Sequence, residues 1–473
     1  MRKIILFIII LVAAALLVFW FTKDPTADFT VSQPGMDSNS VYLSSAQEVV
    51  IGEFFKDGKP SINQGVDIWA RFRGDDFSNI SKSKVPLISK FPEDGPNIIW
   101  SKELGEGHGG AAIYKGLVYI LDYDEEDRAD VLKCFDLATG EEVWRRWYKV
   151  SIKRNHGISR TVPTVTEDYI LTIGPKCHIM CLKRQTGELL WTLDIAKEYG
   201  SEIPLWYTGQ CPLIDNGVAV IATGGTDLLI GIDCATGEKL WQTSNDDSWL
   251  MSHSSVVPFT YEGKKMFVYA AIGGICGVSA EGEDRGQVIW KTDEFNPNVV
   301  APTPVCMPDG KIFQSAGYGA GSVMLQLKKN ESGFSVEVQQ IYKPREGMAS
   351  EQQTHIFYDG YLIGIQPKDA GGSRNQLISV NPNDCKEIVM TSGKTKRFGL
   401  GPYMIADGKL FLLNDDGTLY ILKADAKKYI EYDSFKVLDG VDAWAPLAIA
   451  DGYLILRDSK MMICIDISNS RSK

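Results

Sequence analysis

The stretch Cys134-Phe-Asp-Leu-Ala-Thr-Gly-Glu-Glu-Val-Trp144 decides the fold, because similar stretches recur along the chain. Two copies align with it without gaps: Cys181-Leu-Lys-Arg-Gln-Thr-Gly-Glu-Leu-Leu-Trp191 and Gly231-Ile-Asp-Cys-Ala-Thr-Gly-Glu-Lys-Leu-Trp241. A weaker copy ends at Trp290, and a fragment with only the last residues ends at Trp100. Successive tryptophans lie 44, 47, 50 and 49 residues apart. A period of this size predicts a stacked or closed repeat architecture.

Each period contains the signals of about four strands. In the repeated stretch, an apolar strand runs into Asp-x-x-Thr-Gly, a turn in which glycine can adopt a positive φ, and a second strand carries the tryptophan. Upstream lies another hairpin, signalled by pairs such as Asn216-Gly217 and Asp309-Gly310. Four short antiparallel strands per repeat are typical of one blade of an all-β propeller.

The number of blades follows from the length of the chain. From Trp100 to Lys473 there are 373 residues, and division by the mean spacing of 47.5 gives about 7.9 repeats. We therefore predict an eight-bladed β-propeller of four-stranded antiparallel blades, with seven blades as the alternative. Residues 443–468 supply three strands and residues 98–104 a lone outer strand, so we expect both ends to complete one blade. Degenerate equivalents of the tryptophan are expected near Val338, Val389 and Ile430.

Composition narrows the class of protein. The 473 residues are 44% apolar and 23% charged, which excludes global disorder. The 45 glycines favour many tight turns. The formal net charge of −11 argues against a nucleic-acid partner.

The N-terminal sequence predicts that the chain is exported from the cytoplasm. Arg2 and Lys3 precede an apolar run over residues 4–21, long enough as a helix to reach about 27 Å. We interpret residues 1–23 as a signal anchor, a single-pass transmembrane helix in the inner (cytoplasmic) membrane, with the propeller on the periplasmic or extracellular side. A cleaved signal peptide is the alternative. Residues 24–68 are polar and are predicted to form a linker.

The nine cysteines predict neither a disulfide framework nor a metal site. None are adjacent, and no C-x-x-C pair occurs. Cys177 and Cys181, four residues apart in an extended stretch, would be about 13 Å apart, too far for a disulfide. We expect buried structural thiols.

The repeat resembles the tryptophan-docking motif, Ala-x-Asp-x-x-Thr-Gly-x-x-x-Trp, of the pyrroloquinoline-quinone-like (PQQ-like) β-propeller family. Cys134, Cys181 and Gly231 stand where the motif usually has alanine, and Lys183 replaces one aspartate. The resemblance covers about residues 69–468, so we place the propeller domain at 69–470. Trp69-Ala-Arg-Phe-Arg-Gly74 also resembles a signature of exported bacterial members. The resemblance implies that neighbouring blades are locked by Trp100, Trp144, Trp191, Trp241, Trp290, Gly140, Gly187 and Gly237.

The same resemblance implies two functions from different classes. One precedent is the propeller subunit of the bacterial outer-membrane assembly machine, which implies a binding or scaffold protein that contacts envelope proteins through its loops and carries no cofactor. The alternative is an alcohol or sugar dehydrogenase that uses pyrroloquinoline quinone with calcium. The chain lacks the adjacent cysteine pair typical of those enzymes, and no calcium-binding cluster is evident. We therefore favour the non-enzymatic function.

A candidate ligand site can be located from the repeat. The segments that enter the innermost strands should line one mouth of the central channel, where polar and aromatic groups would converge. The alternative is that these side chains only fill or hydrate a narrow channel. Different blades need not bring three histidines within about 2 Å of one ion, so no metal is predicted. The candidates are His108, His156, Arg160, Trp206, Gln210, His253, Gln352 and Trp444.

Overall fold

The computed structural model describes residues 2–22, 48–61, 65–331 and 333–469. Helix α1 (Arg2–Thr22) belongs to one compact unit, residues 1–49, and the strands belong to a second, residues 50–473. Within these described ranges no helix meets the length and hydropathy needed to cross a membrane. The predicted transmembrane anchor is therefore not confirmed.

The strands form eight antiparallel sheets, which confirms the predicted eight-bladed propeller. Three strands precede the first complete blade: β1 (Phe54–Asp57), β2 (Ile68–Trp69) and β3 (Asn97–Glu103). Blades 1 and 2 contain β4 (Ala112–Tyr114), β5 (Leu117–Asp124), β6 (Ala129–Asp136), β7 (Glu142–Lys149), β8 (Thr164–Val165), β9 (Tyr169–Ile173), β10 (His178–Lys183) and β11 (Leu189–Asp194). Helix α2 (Ile195–Tyr199) follows. Blades 3 and 4 contain β12 (Leu213–Asp215), β13 (Val218–Ala222), β14 (Asp227–Asp233), β15 (Lys239–Ser244), β16 (Val257–Tyr261), β17 (Lys264–Ala271), β18 (Gly274–Ser279) and β19 (Val288–Thr292).

The second half of the ring repeats this arrangement. Blades 5 and 6 contain β20 (Val305–Cys306), β21 (Lys311–Ala316), β22 (Gly321–Asn330), β23 (Gly333–Tyr342), β24 (Ile356–Tyr358), β25 (Tyr361–Ile365), β26 (Leu377–Asn381) and β27 (Asp384–Thr391). A single 3₁₀ turn, Gly371–Ser373, lies between β25 and β26. Blades 7 and 8 contain β28 (Tyr403–Ala406), β29 (Lys409–Leu413), β30 (Thr418–Lys423), β31 (Glu431–Lys436), β32 (Ala448–Ala450), β33 (Tyr453–Arg457) and β34 (Met461–Asp466).

Blade 8 is closed by strands from both ends of the propeller, as predicted. Strand β3 pairs antiparallel with β34, with Trp100 opposite Cys464 and Glu103 opposite Met461. The blade order is β3-β34-β33-β32, so a strand from the start of the propeller becomes the outer strand of its last blade. This pairing closes the ring without leaving β34 as an open edge.

Part of the predicted linker joins the first blade. Residues 23–47 lie outside the described residues, but β1 pairs with the outer strand β7 and β2 pairs with the innermost strand β4. Blade 1 therefore has six strands, in the order β1-β7-β6-β5-β4-β2. The apolar pair Phe54 and Phe55 explains β1, because these rings pack on Trp147 and Trp144 of β7.

A bulge recurs between the third and outer strands of every blade. In blade 2, for example, Cys181 pairs with Trp191 and Leu182 with Leu189, so one residue of the outer strand has no partner. Such a bulge bends the strand and re-aims the side chain beside it. The same register in blades 5–7 places Gln340, Met390 and Asp433 at the tryptophan position. The predicted equivalents Val338, Val389 and Ile430 are therefore wrong by one to three residues, because the bulge is invisible in a degenerate repeat.

The repeated turn brings each tryptophan against the next blade. Asp136 Oδ1 accepts hydrogen bonds from the amides of Ala138 (2.9 Å) and Thr139 (3.0 Å), and this turn presents Gly140 at φ 68°. Trp100 of blade 8 lies on that glycine of blade 1, and its Nε1 donates to the Leu137 carbonyl at 2.8 Å.

The same relation holds for the next three tryptophans. Trp144 faces Gly187, Trp191 faces Gly237 and Trp241 faces Gly286, each across one blade boundary. Trp290 differs, since its Nε1 contacts the Met266 sulfur at 3.2 Å within its own blade. All nine cysteines are free thiols, and only Cys306 among them is not fully buried.

A plug formed by residues 69–80 occupies the central channel. Strand β2 enters beside β4, and the Ala70 carbonyl accepts from the Val165 amide of blade 2 at 2.8 Å. Arg73 is 4% exposed and donates to the carbonyls of Thr354 (3.0 Å) and His355 (2.9 Å) at blade 6. The signature at residues 69–74 therefore ties the inner strands of several blades together.

Candidate functional site

A cavity of about 330 Å³ opens at one mouth of the channel, above the plug. Every blade contributes to its wall from the segment that precedes its innermost strand, and Phe72 of the plug also lines it. The volume lies in the range of about 300–1,000 Å³ typical of small-molecule pockets. In blade order the wall includes His108, Arg160, Cys211, Ser255, Ala301, Gln352, Leu400 and Trp444.

Seven of the eight predicted candidates line this cavity: His108, His156, Arg160, Trp206, His253, Gln352 and Trp444. The eighth, Gln210, does not. Its amide donates to the Ala222 carbonyl at 2.9 Å and accepts from the Ala222 amide at 2.8 Å, fully buried within blade 3. The Gln210 side chain thus forms with Ala222 the pair of hydrogen bonds that a backbone strand residue would form. The position of Gln210 before the innermost strand does not show whether its side chain points into the channel or back toward its own blade.

Arg160 is fixed on two sides by backbone carbonyls. Its Nε donates to Trp206 at 2.6 Å. Its Nη2 donates to His156 at 2.7 Å, with Asn155 at 3.1 Å and Gly157 at 3.3 Å. Nη1 has no partner among the residues that the structure describes. The guanidinium is therefore held rigidly with one amino group unused.

No described carboxylate forms an ion pair with Arg160. The groups near enough to influence its charge are the phenols of Tyr318 and Tyr207, and burial lowers the pKa of Arg160 to about 10. At neutral pH it is still a cation, because that value is well above 7. A desolvated, unpaired cation in a cavity favours an anionic guest.

Aromatic rings form two walls of the cavity. The Trp206 ring stacks with the Tyr318 ring, with centroids 5.7 Å apart, and with the His253 ring, at 6.2 Å. On another side the His108 ring lies 4.9 Å from Trp444. Flat apolar faces of this kind suit a planar guest.

The loop that carries Trp206 is strained. Trp206 and the next residue, Tyr207, both have positive φ, 64° and 72°. Bulky residues are rare in this region, and each costs roughly 1–2 kcal/mol. Arg160 Nε and a hydrogen bond from Tyr207 Oη to the Lys153 carbonyl hold the loop in place. Strain retained beside a cavity is typical of functional positions.

Two histidines of the cavity, His108 and His253, are neutral at physiological pH. Burial, followed by the Arg160 charge, lowers the pKa of His108 to about 3 and that of His253 to about 4. His108 Nε2 donates to the His156 carbonyl at 3.0 Å, so the single proton of the neutral imidazole is on Nε2. Within the described ranges, no three His, Cys, Asp or Glu side chains lie close enough to hold a metal ion.

The cavity residues that were not predicted include Tyr318, Glu351 and Lys368. Tyr318 lies in the loop between β21 and β22, whereas the prediction considered only the segments that enter the innermost strands. Glu351 precedes the predicted Gln352 and is the carboxylate of the cavity wall, with a side chain 4% exposed and Lys368 Nζ at 4.0 Å. Burial raises the pKa of Glu351. Extending each entry segment by one residue would have found it.

The donor set does not fit pyrroloquinoline quinone with calcium. Calcium takes six to eight oxygen ligands, several of them carboxylates, whereas Glu351 is the carboxylate that lines the cavity. The neighbouring thiols are free and dispersed, so no adjacent disulfide covers the mouth. The dehydrogenase alternative therefore gains no support from the residues of the cavity.

Solved structures with this architecture include a BamB protein and an alcohol dehydrogenase. BamB from Moraxella catarrhalis superposes with a TM-score of 0.50 at 12% identity, over 78% of this chain and 99% of that one. The quinohemoprotein alcohol dehydrogenase ADHIIG from Pseudomonas putida HK5 gives 0.54 at 12% identity, over 86% and 80%. At these identities the likeness shows the fold alone.

Sequence comparison finds relatives that carry the first of these two names. The outer membrane protein assembly factor BamB of Yersinia pestis is 22% identical over 391 residues, which cover 72% of this chain and 92% of the relative. The family model described as outer membrane protein assembly factor BamB matches residues 127–369, which are 243 of the 473 residues. Because the model spans more than half of the chain, the protein belongs to the PQQ-like propeller family of the outer membrane protein assembly factor BamB.

Proposed function

We propose that the protein is a non-catalytic propeller scaffold of the bacterial cell envelope that contributes to outer membrane protein assembly. The family match over residues 127–369 carries this proposal. The cavity chemistry is consistent with it, since the described wall lacks the carboxylate set that a calcium-dependent quinoprotein needs.

The partner surface is the rim around the channel mouth. Several loops there expose large apolar side chains: Leu205 is 62% exposed, Tyr318 59% and Val441 60%. Leu205 and Val441 come from the connections between blades 2 and 3 and between blades 7 and 8, and Tyr318 comes from a loop within blade 5. Trp206 and Trp444 beside them line the mouth. Exposed apolar groups around a concavity are typical of protein interaction sites.

Site-specific cross-linking in the source bacterium tests the proposal. A photoreactive amino acid at Leu205 should capture proteins of the outer-membrane assembly apparatus, identified by mass spectrometry. The same probe at Val288, a 38% exposed residue on the outer strand of blade 4, is the matched control. Equal capture at both positions, or capture of unrelated proteins only, would argue against a scaffold acting through this rim.

We further propose that residues 4–21 attach the propeller to the cytoplasmic membrane. The support is the uninterrupted apolar run and its helical conformation in α1 (Arg2–Thr22). Alkaline carbonate extraction should leave the full chain in the membrane pellet and release a variant lacking residues 2–22. Release of the full chain by carbonate would refute the attachment and leave the scaffold proposal intact.

A further inference from the structure

We propose that the mouth cavity binds a small organic monoanion, a single carboxylate carried on a planar apolar body. This inference goes beyond the scaffold function and does not depend on it, because it rests on the cavity wall alone.

Arg160 defines the position of the carboxylate. Nε and Nη2 are occupied by four backbone carbonyls, and Nη1 is unpartnered among the described residues. Because the guanidinium is already oriented, a carboxylate at Nη1 forms a charge-assisted hydrogen bond with little further loss of side-chain entropy. Because these backbone carbonyls carry no net charge, they give Arg160 no counter-ion. The carboxylate of the guest would supply one.

The aromatic walls define the body of the guest. The Trp206 ring stacks with those of Tyr318 and His253, and the Trp206 backbone carbonyl accepts from Arg160, so cation and ring are coupled. Trp444 backed by His108 provides a second ring at the mouth. A planar apolar group beside the carboxylate would contact these rings.

Glu351 limits the guest to one negative charge. It enters the cavity from blade 6, and Arg160 enters from blade 2, which is four places away in a ring of eight and therefore opposite. Glu351 is buried, and its counter-ion Lys368 lies 4.0 Å away with a side chain 74% exposed. A second carboxylate reaching across the cavity would approach this like charge, which disfavours dianions.

The strained backbone supports a binding role over a structural one. Consecutive positive φ angles at Trp206 and Tyr207 present the indole to the cavity, although glycine or asparagine would fit that backbone at lower cost. The aromatic residue is therefore kept where the backbone disfavours it.

Calorimetric titration of the purified full chain tests the proposed chemistry directly. Naphthalene-2-carboxylate is the probe, with 2-naphthamide as a neutral control of similar shape and naphthalene-2,6-dicarboxylate as the dianion. We expect the monocarboxylate to bind about tenfold or more tightly than the amide, the value of one hydrogen bond to a charged group. Equal affinity for acid and amide, no binding of the acid, or tighter binding of the dicarboxylate would overturn the proposal.

Two variants locate the site on the protein. Arg160→Gln should abolish the preference for the acid over the amide, whereas Arg154→Gln is the matched control, since that exposed arginine pairs with Glu106 outside the cavity wall. Trp206→Asn suits the positive φ and should keep the thermal midpoint while weakening both probes. Unchanged binding in both cavity variants, each checked for an intact midpoint, would place the ligand elsewhere and refute the inference.

Discussion

Replacing Gly140 by alanine should weaken the closure of the ring. Gly140 lies at φ 68°, and an added Cβ would sit 2.5 Å from Cγ and 2.7 Å from Cδ2 of Trp100. These atoms belong to the base of a tryptophan that is 7% exposed, so the ring cannot swing aside. Trp100 belongs to β3, the strand that completes blade 8. The substitution therefore acts on the contact between the closing blade and blade 1.

The magnitude divides into a backbone part and a contact part. An alanine at positive φ costs about 1–2 kcal/mol, and forcing extra volume into a packed contact adds about 1–3 kcal/mol. Gly408→Ala isolates the backbone part, because Gly408 has φ 66° and a Cβ there would meet nothing within 4 Å. We expect a loss of about 2–5 kcal/mol for Gly140→Ala and about 1–2 kcal/mol for Gly408→Ala.

Urea unfolding of the two variants and the wild type, followed by tryptophan fluorescence, measures the difference. Gly140→Ala should have the lower midpoint, with similar slopes for both variants. Equal midpoints for Gly140→Ala and Gly408→Ala would refute the argument that docking of Trp100 on this glycine stabilises the closed ring.

Three further predictions address the plug, a buried carboxyl and the cofactor. Arg73→Met should lower the free energy of unfolding by about 2–4 kcal/mol, since the Thr354 and His355 carbonyls lose a charged donor; an unchanged urea midpoint would contradict this. Burial raises the pKa of Asp130 to about 7, so its folded form prefers the proton and the contribution of this carboxyl to stability should fall from pH 4 to pH 7. Asp130→Asn should remove up to about 4 kcal/mol of that fall, measured as the unfolding free energy at both pH values; parallel pH profiles would count against it. Pyrroloquinoline quinone added with calcium should leave no quinone absorbance on the desalted protein, and retained absorbance with alcohol-dependent dye reduction would revive the dehydrogenase alternative.

The repeat period predicted the closed ring, because the residues that define each repeat lie close together in the sequence. The Asp-x-x-Thr-Gly turn and the tryptophan that follows it repeat at the spacing of one blade, and the lone strand near Trp100 required a partner from the other end. The bulge beside each tryptophan was not predictable, because a one-residue insertion leaves no trace once the tryptophan is replaced, as at Gln340. Strand β1 was not predicted, because four residues within a polar stretch are too few to show a hydrophobic period.

The sequence predicted where the cavity lies, but only some of the residues that line it. Counting back from each innermost strand found Arg160 and Trp444, because every blade enters the channel in the same way. The rule failed for Gln210, whose side chain turns back to its own blade. It also missed Tyr318, which reaches the mouth from a loop between strands, and Phe72, which arrives from the plug. Such contacts depend on long-range packing that a repeat does not encode.

The abundance of outer-membrane β-barrel proteins tests the proposed function most directly. In the source bacterium, quantitative proteomics of purified outer membranes should show lower amounts of these proteins when the chain is deleted. Re-expression of the wild-type chain should restore them, and a chain with Leu205→Glu and Val441→Glu on the mouth rim should restore them less well. Unchanged amounts of these proteins in the deletion strain would contradict a role in outer membrane protein assembly.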